Sequence, residues 1–144
     1  LPQDSESARG AANILVVDDN EDAADTCATL LEIHGYEVRV AYTPEAALEM
    51  LDGFTPDVAI LDIGLPGMSG YTLAGRMQAP PFHYRGRLVA LTGYGQAADM
   101  AASKAAGFDA HLTKPVSPAD LLDLVAQYAQ QVADSFSSSA GNPS

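Results

Sequence analysis

Five short aliphatic runs recur along the chain, and each is separated from the next by a segment whose apolar residues fall at helical spacing. The runs are NILVV (13–17), YEVRVA (36–41), DVAIL (57–61), RLVAL (87–91) and DAHLT (109–113). Aliphatic runs this short, bounded by turn residues, describe strands buried on both faces. Strands alternating with helices require right-handed crossovers, so the expected fold class is α/β, a (βα)5 unit with one parallel sheet between two helical layers.

The intervening segments carry their own start and stop signals. Asn20 is an N-cap for a first helix that ends at Gly35, with Glu21 and Asp22 suited to the positive end of the helix dipole. A second helix runs from about Thr43 and Pro44 to Gly53, and a third from Ser69 to Met77, ahead of Pro80 and Pro81. A fourth spans Gln96 to Ala106 before Gly107, and a fifth starts at Ser117-Pro118 and carries Leu121, Leu122, Val125 and Tyr128. Residues 1–12 and the Ser-rich stretch 134–144 are too poor in apolar residues to fold alone and read as linker and flexible tail, leaving one domain over 13–133.

Charge and cysteine content narrow the function classes. With 19 acidic and 7 basic residues the formal net charge is -12, which opposes the phosphate contacts that drive nucleic-acid binding. The single cysteine, Cys27, forms no intrachain disulfide framework and no thiolate metal cluster; at helical spacing from Leu30 and Leu31 it reads as a small core residue. No run has the length of a membrane span and the N-terminus lacks a signal-peptide pattern, so the expected location is the cytoplasm. The chain opens on Leu1, which reads as a segment of something longer or a chain with added terminal residues.

Chemistry-bearing residues collect where the strands end. Asp18 and Asp19 follow the first strand, Asp62 the third, Thr92 the fourth and Lys114 the fifth. Open parallel sheets bind ligands at that edge. Two carboxylates about 4 Å apart repel by roughly 4 kcal/mol at an effective dielectric near 20, so three ionised together call for a hard divalent cation such as Mg2+. The ammonium of Lys114 and the hydroxyl of Thr92 suit a further anionic group, for which phosphoryl is the obvious candidate, and a carboxylate in that cage can be its nucleophile.

In VVDDN, LDIGLPGMSG, ALTGY and GFDAHLTKP, in that order and near that spacing, the sequence resembles the response-regulator receiver domains of two-component signalling over about 13–133. The resemblance implies a flavodoxin-like sheet of order 2-1-3-4-5. It implies that Asp62 is the phosphoacceptor, that Asp19 ligates Mg2+ directly and Asp18 through a water, and that the backbone carbonyl of Gly64 completes the protein ligands. Thr92 would hydrogen-bond the phosphoryl group, Lys114 would bind one of its oxygens, and the Lys114–Pro115 peptide would be cis. The position three before the lysine, most often Tyr or Phe in the family, is His111, which takes the place of the switch residue. Tyr94, two after Thr92, would shield the aspartyl phosphate from water and set its lifetime.

Each residue also has a plainer reading. Asp18 and Asp19 can cap a helix, Asp62 can serve a turn, Thr92 can end a strand, Lys114 can be a surface lysine, and His34 and His83 read as a helix-end and a solvated loop residue. The implied partners are a sensor histidine kinase or histidine phosphotransfer domain, and an output partner on the face of the fourth helix, fifth strand and fifth helix, in a hybrid kinase or as a separate receiver. Two other functions compete. A Mg2+-dependent aspartyl-phosphate phosphatase needs an acid two residues after the nucleophile, where this chain has Gly64. An interaction-only pseudo-receiver would have no need of the five residues at the strand ends.

Overall fold

The computed structural model describes residues 12–93 and 100–141. Strands β1 (Asn13–Val17), β2 (Glu37–Ala41), β3 (Val58–Asp62), β4 (Arg87–Thr92) and β5 (Ala110–Thr113) form a single sheet. All its pairs are parallel and its order is β2-β1-β3-β4-β5, the flavodoxin-like arrangement. Helices α1 (Glu21–Ile33), α2 (Pro44–Met50), α3 (Gly70–Gln78), α4 (Met100–Ala106) and α5 (Pro118–Gly141) connect and follow the strands.

The two-residue period of the strands divides the core into two layers. Leu15, Val17, Ala59, Leu61, Leu88 and Ala90 face Ala47 of α2 and Leu73, Ala74 and Met77 of α3. Ile14, Val16, Val58, Ile60, Val89 and Leu91 face Ala24 and Leu31 of α1 and Leu121, Val125 and Tyr128 of α5. Only the inner strands are apolar on both faces; β3 is buried at every position, while the edge strand β2 alternates exposed and half-buried residues before Ala41.

Capping chemistry explains the helix starts. Asn20, Thr43 and Ser69 each accept a hydrogen bond from the backbone N–H three residues on, as short polar side chains do at N-caps. The second helix stops at Met50 rather than reaching Gly53, because Leu51 caps it by donating to the carbonyls of Leu48 and Glu49. Gly35 and Gly107 close α1 and α4 at φ values of 94° and 97°, a region that glycine enters without steric cost.

The two ends of the domain also differ from those the sequence predicts. Ala12 belongs to the domain, since it is buried and its carbonyl accepts the N–H of Glu37. The stretch from Asp134, expected to be a flexible tail, is helical to Gly141, because a helix nucleated and packed over its first turns extends at the low cost of propagation even through serine. The first residues of the expected fourth helix, and Tyr94, lie outside the described residues. Among the described residues no helix is long and apolar enough to cross a membrane.

Candidate functional site

The carboxyl ends of β1, β3, β4 and β5 meet at one edge of the sheet, and the ladder fixes each backbone there. Asp18 N–H donates to the Ala41 carbonyl at 3.1 Å, Ile63 N–H to Leu91 at 3.1 Å and Lys114 N–H to Thr92 at 2.8 Å. Asp62 and Thr92 are the final residues of their strands, so their backbones are as rigid as the sheet. The α3 start presses close behind: a Cβ on Gly70 would sit 2.7 Å from both the Asp62 carbonyl oxygen and the Ile63 Cα. Glycine is required there for the helix to approach the strand that carries Asp62.

Oxygens of Asp18, Asp19 and Asp62 all lie within 4.8 Å of one another. Asp18 and Asp62 are buried, whereas Asp19 is exposed at the mouth. Lys114 Nζ bridges the two inner carboxylates, donating to Asp62 Oδ2 at 2.8 Å and lying 2.9 Å from Asp18 Oδ2. Their other oxygens accept backbone N–H groups, Asp18 Oδ1 from Asn20 at 3.0 Å and Asp62 Oδ1 from Gly64 at 2.8 Å. The cluster is therefore held rigid by the protein while one carboxylate stays open to solvent.

The electrostatics show crowding. Burial pushes the Asp18 carboxyl above its ordinary value, and the charge of Asp62 adds to this, while the Lys114 ammonium and the Asn20 N–H pull it down. Burial alone would lower Lys114, yet its hydrogen bonds to Asp62 and Asp18 and their charges outweigh it and raise the ammonium above its usual range. Three carboxylates against one ammonium leave a formal charge of two negatives, which a divalent cation balances. The donor set, all carboxylate oxygen with one side open, fits a hard ion that retains waters.

The remaining expected residues divide. Thr92 is buried at the end of β4, next to the strand of Asp62, and the Lys114–Pro115 peptide is cis. His111 does not join the carboxylates; its Nε2 lies 2.6 Å from Ser103 Oγ on α4. His34 caps α1 with Nδ1 3.0 Å from the Leu30 carbonyl, and His83 is exposed with φ 52°. Cys27 is half-buried beside the α1 core layer, and burial with the neighbouring Asp18 charge pushes its thiol up, which makes it a poor nucleophile. Sequence reasoning missed Gly70 and Ser103, since both act through contacts with residues distant along the chain.

Residues 14–126 match the response regulator receiver domain family. The chain belongs to that family. It is 39% identical over 116 residues to an uncharacterized 14.6 kDa protein in the sodA1 3' region of Leptolyngbya boryana, covering 81% of this chain and 88% of that one. It is 36% identical to the regulatory protein VanR of Enterococcus faecium over 76% of this chain, but spans only 46% of that protein's length. Among solved structures, a putative response regulator from Chloroflexus aurantiacus is 33% identical with a TM-score of 0.75, covering 83% of this chain and 98% of that one. A CheY-like response regulator receiver domain protein from Methanospirillum hungatei is 30% identical with a TM-score of 0.76, covering 87% and 98%. This receiver thus has the fold and the motif order that its sequence announced.

Proposed function

We propose that this receiver accepts a phosphoryl group on Asp62 from the phosphohistidine of a sensor histidine kinase or a histidine phosphotransfer domain in the cytoplasm, either within a hybrid kinase or as a separate regulator. The observation that carries the reading is the Lys114 ammonium bridging Asp18 and Asp62 at 2.9 and 2.8 Å within a cluster of three carboxylates. Asp18, Asp19 and Asp62, with the Gly64 carbonyl, would hold Mg2+. When bound, that ion supplies positive charge for the oxygens of the transferring group.

The chain's own residues account for the rest of the chemistry. A carboxylate oxygen of Asp62 attacks phosphorus, an acyl phosphate bond forms, the P–N bond to the donor imidazole breaks, and the imidazole nitrogen takes a proton from solvent. Lys114 already touches Asp62 Oδ2 and neutralises the oxygen charge that builds beside it. The Gly64 N–H holds the other carboxylate oxygen, so the nucleophile meets the donor in a fixed orientation. The Thr92 hydroxyl at the adjoining strand end is the donor available to the acquired phosphoryl group.

The test is intact-protein mass with Mg2+ and a small phosphoramidate, whose P–N bond breaks to release ammonia. One phosphoryl adduct is expected on the wild type and none on Asp62→Asn. An adduct of equal yield on the folded Asp62→Asn protein sinks the assignment.

A further inference from the structure

At the edge of the sheet opposite the three aspartates lies a groove of about 760 Å3 that the phosphoryl chemistry does not use. β3 separates the two places: Asp57, just before its first residue, lines the groove, and Asp62 is its last residue. At about 3.3 Å per residue that is roughly 17 Å of strand. The volume lies within the ~300–1,000 Å3 common to small-molecule pockets.

The walls are aromatic and firmly held. Phe54, Tyr84 and Tyr128 are buried, and Phe82 is half-buried. The Tyr84 hydroxyl donates to the Arg87 carbonyl at 2.8 Å, and its N–H to the Met77 carbonyl at 2.8 Å. Gly86 packs so closely that a Cβ there would overlap the Tyr84 hydroxyl and stand 2.8 Å from the Asp57 carbonyl oxygen. His83, in the same loop, has φ 52°, uncommon outside glycine, and its N–H donates to the Ala79 carbonyl at 3.0 Å. A ligand therefore meets a formed surface and has no loop to order.

Charge is the second observation. The chain has a formal net charge of -12 and only seven Lys and Arg residues, yet both Arg85 and Arg87 line this groove. Arg87 is engaged, 3.3 Å from Asp109 Oδ1 and 5.3 Å from the Tyr128 ring centroid. Arg85 is exposed and has no carboxylate partner among the described residues. Asp57 accepts the Asn13 N–H on Oδ2 at 2.8 Å, and at the rim Val132 leaves apolar surface in water at 38% exposure. An unpaired guanidinium beside apolar walls matches a carboxylate on a flat ring, since its planar fork takes both carboxylate oxygens. A phosphate monoester suits the groove less, because its second negative charge would face Asp57 with one uncommitted arginine to balance it.

We propose that the groove between the α2–β3 loop, the α3–β4 loop and α5 binds an aromatic carboxylate, with Arg85 on the carboxylate and Phe82 and Val132 against the ring. The site stands apart from the Mg2+ ligands and does not depend on the phosphoacceptor reading of Asp62.

The experiment titrates naphthoate into the isotope-labelled full chain and follows amide shifts by NMR. Saturable shifts are expected, largest within 51–57, 82–87 and 128–132, with the same affinity in the presence and absence of Mg2+. Arg85→Met keeps the stem and loses the charge, and should weaken naphthoate about five-fold; Phe82→Ala should weaken it about three-fold. Naphthalenemethanol, which has the ring without the charge, should bind wild type about five-fold more weakly than naphthoate. Shifts that fail to saturate, or that centre on another face, overturn the site. Equal binding of the alcohol, or unchanged affinity in Arg85→Met, overturns the carboxylate, and so does tighter binding of naphthyl phosphate. Arg85 is exposed, so its variant keeps the fold and decides the proposal should Phe82→Ala unfold.

Discussion

Helices α4 and α5 are attached to the same molecule by different forces. α5 lays Leu121, Val125 and Tyr128 against β1, β3 and β4, and the first two are 1% and 0% exposed. Among its described side chains α4 offers the sheet a buried serine beside small alanines, and hydrogen bonds of Ser103 and the Ala106 carbonyl help to hold it. Full burial of a Leu or Val side chain contributes about 1.5–3 kcal/mol, and a neutral hydrogen bond about 0.5–1.5 kcal/mol net. One helix is therefore a permanent part of the core, and the other a part that local opening reaches first.

The largest break in this comparison comes from α5. Leu121→Ala should cost about 2–5 kcal/mol of global stability, because the sheet beneath cannot collapse into the space left. Urea unfolding should show a lowered midpoint, and the whole domain should melt together. A loss under about 1 kcal/mol would mean that α5 is no better anchored than α4, and the contrast would fail.

A smaller effect is expected at the hinge of α4. Gln78 Nε2 donates to both Ala74 and Ala106 carbonyls, at 2.9 and 2.7 Å, and its side chain fills the space where a Cβ on Gly107 would stand. Gln78→Met keeps much of the volume and loses the donors. It should lower global stability by about 1 kcal/mol while accelerating amide exchange selectively in Met100–Ala106. Acceleration spread evenly over all five helices would show that α4 is not a separate unit.

What the sequence made legible follows the same division. β1 has the limits that NILVV suggests, Asn20 and Ser69 cap as short polar residues should, and the three aspartates with Lys114 gather because each sits at a strand end, where sequence position and spatial position coincide. α5 is legible because Leu121, Val125 and Tyr128 recur at helical spacing. α4 is legible only as a helix. Its attachment depends on Ser103 meeting a histidine eight residues away and a tyrosine thirty-two away, and a serine within a helix carries no periodic signal. In sequence Gly70 belongs to a glycine-rich loop segment, although it stands where the first turn of α3 touches the Asp62 backbone. The helix beyond Asp134 escapes a reading by composition, which reports the core a segment can build alone and not the helix it can extend.

The smallest effect is expected where α5 meets β4 through a polar contact. The Arg87 guanidinium lies 5.3 Å from the Tyr128 ring centroid and 3.3 Å from Asp109 Oδ1, and its side chain is 47% exposed. Exposure lets water and salt screen the pair, so the ion pair and the ring contact together contribute no more than about 1 kcal/mol. Asp109 keeps a partner in any case, since its Oδ2 accepts the Leu88 N–H at 2.9 Å, so removing the arginine strands no buried charge. Arg87→Met retains cover over the tyrosine ring and should shift the urea midpoint less than Gln78→Met does, with the remaining difference vanishing at high salt. A salt-independent loss comparable to that of Leu121→Ala would show that α5, too, is pinned by directional contacts, and the distinction between the two helices would then have to rest on apolar area alone.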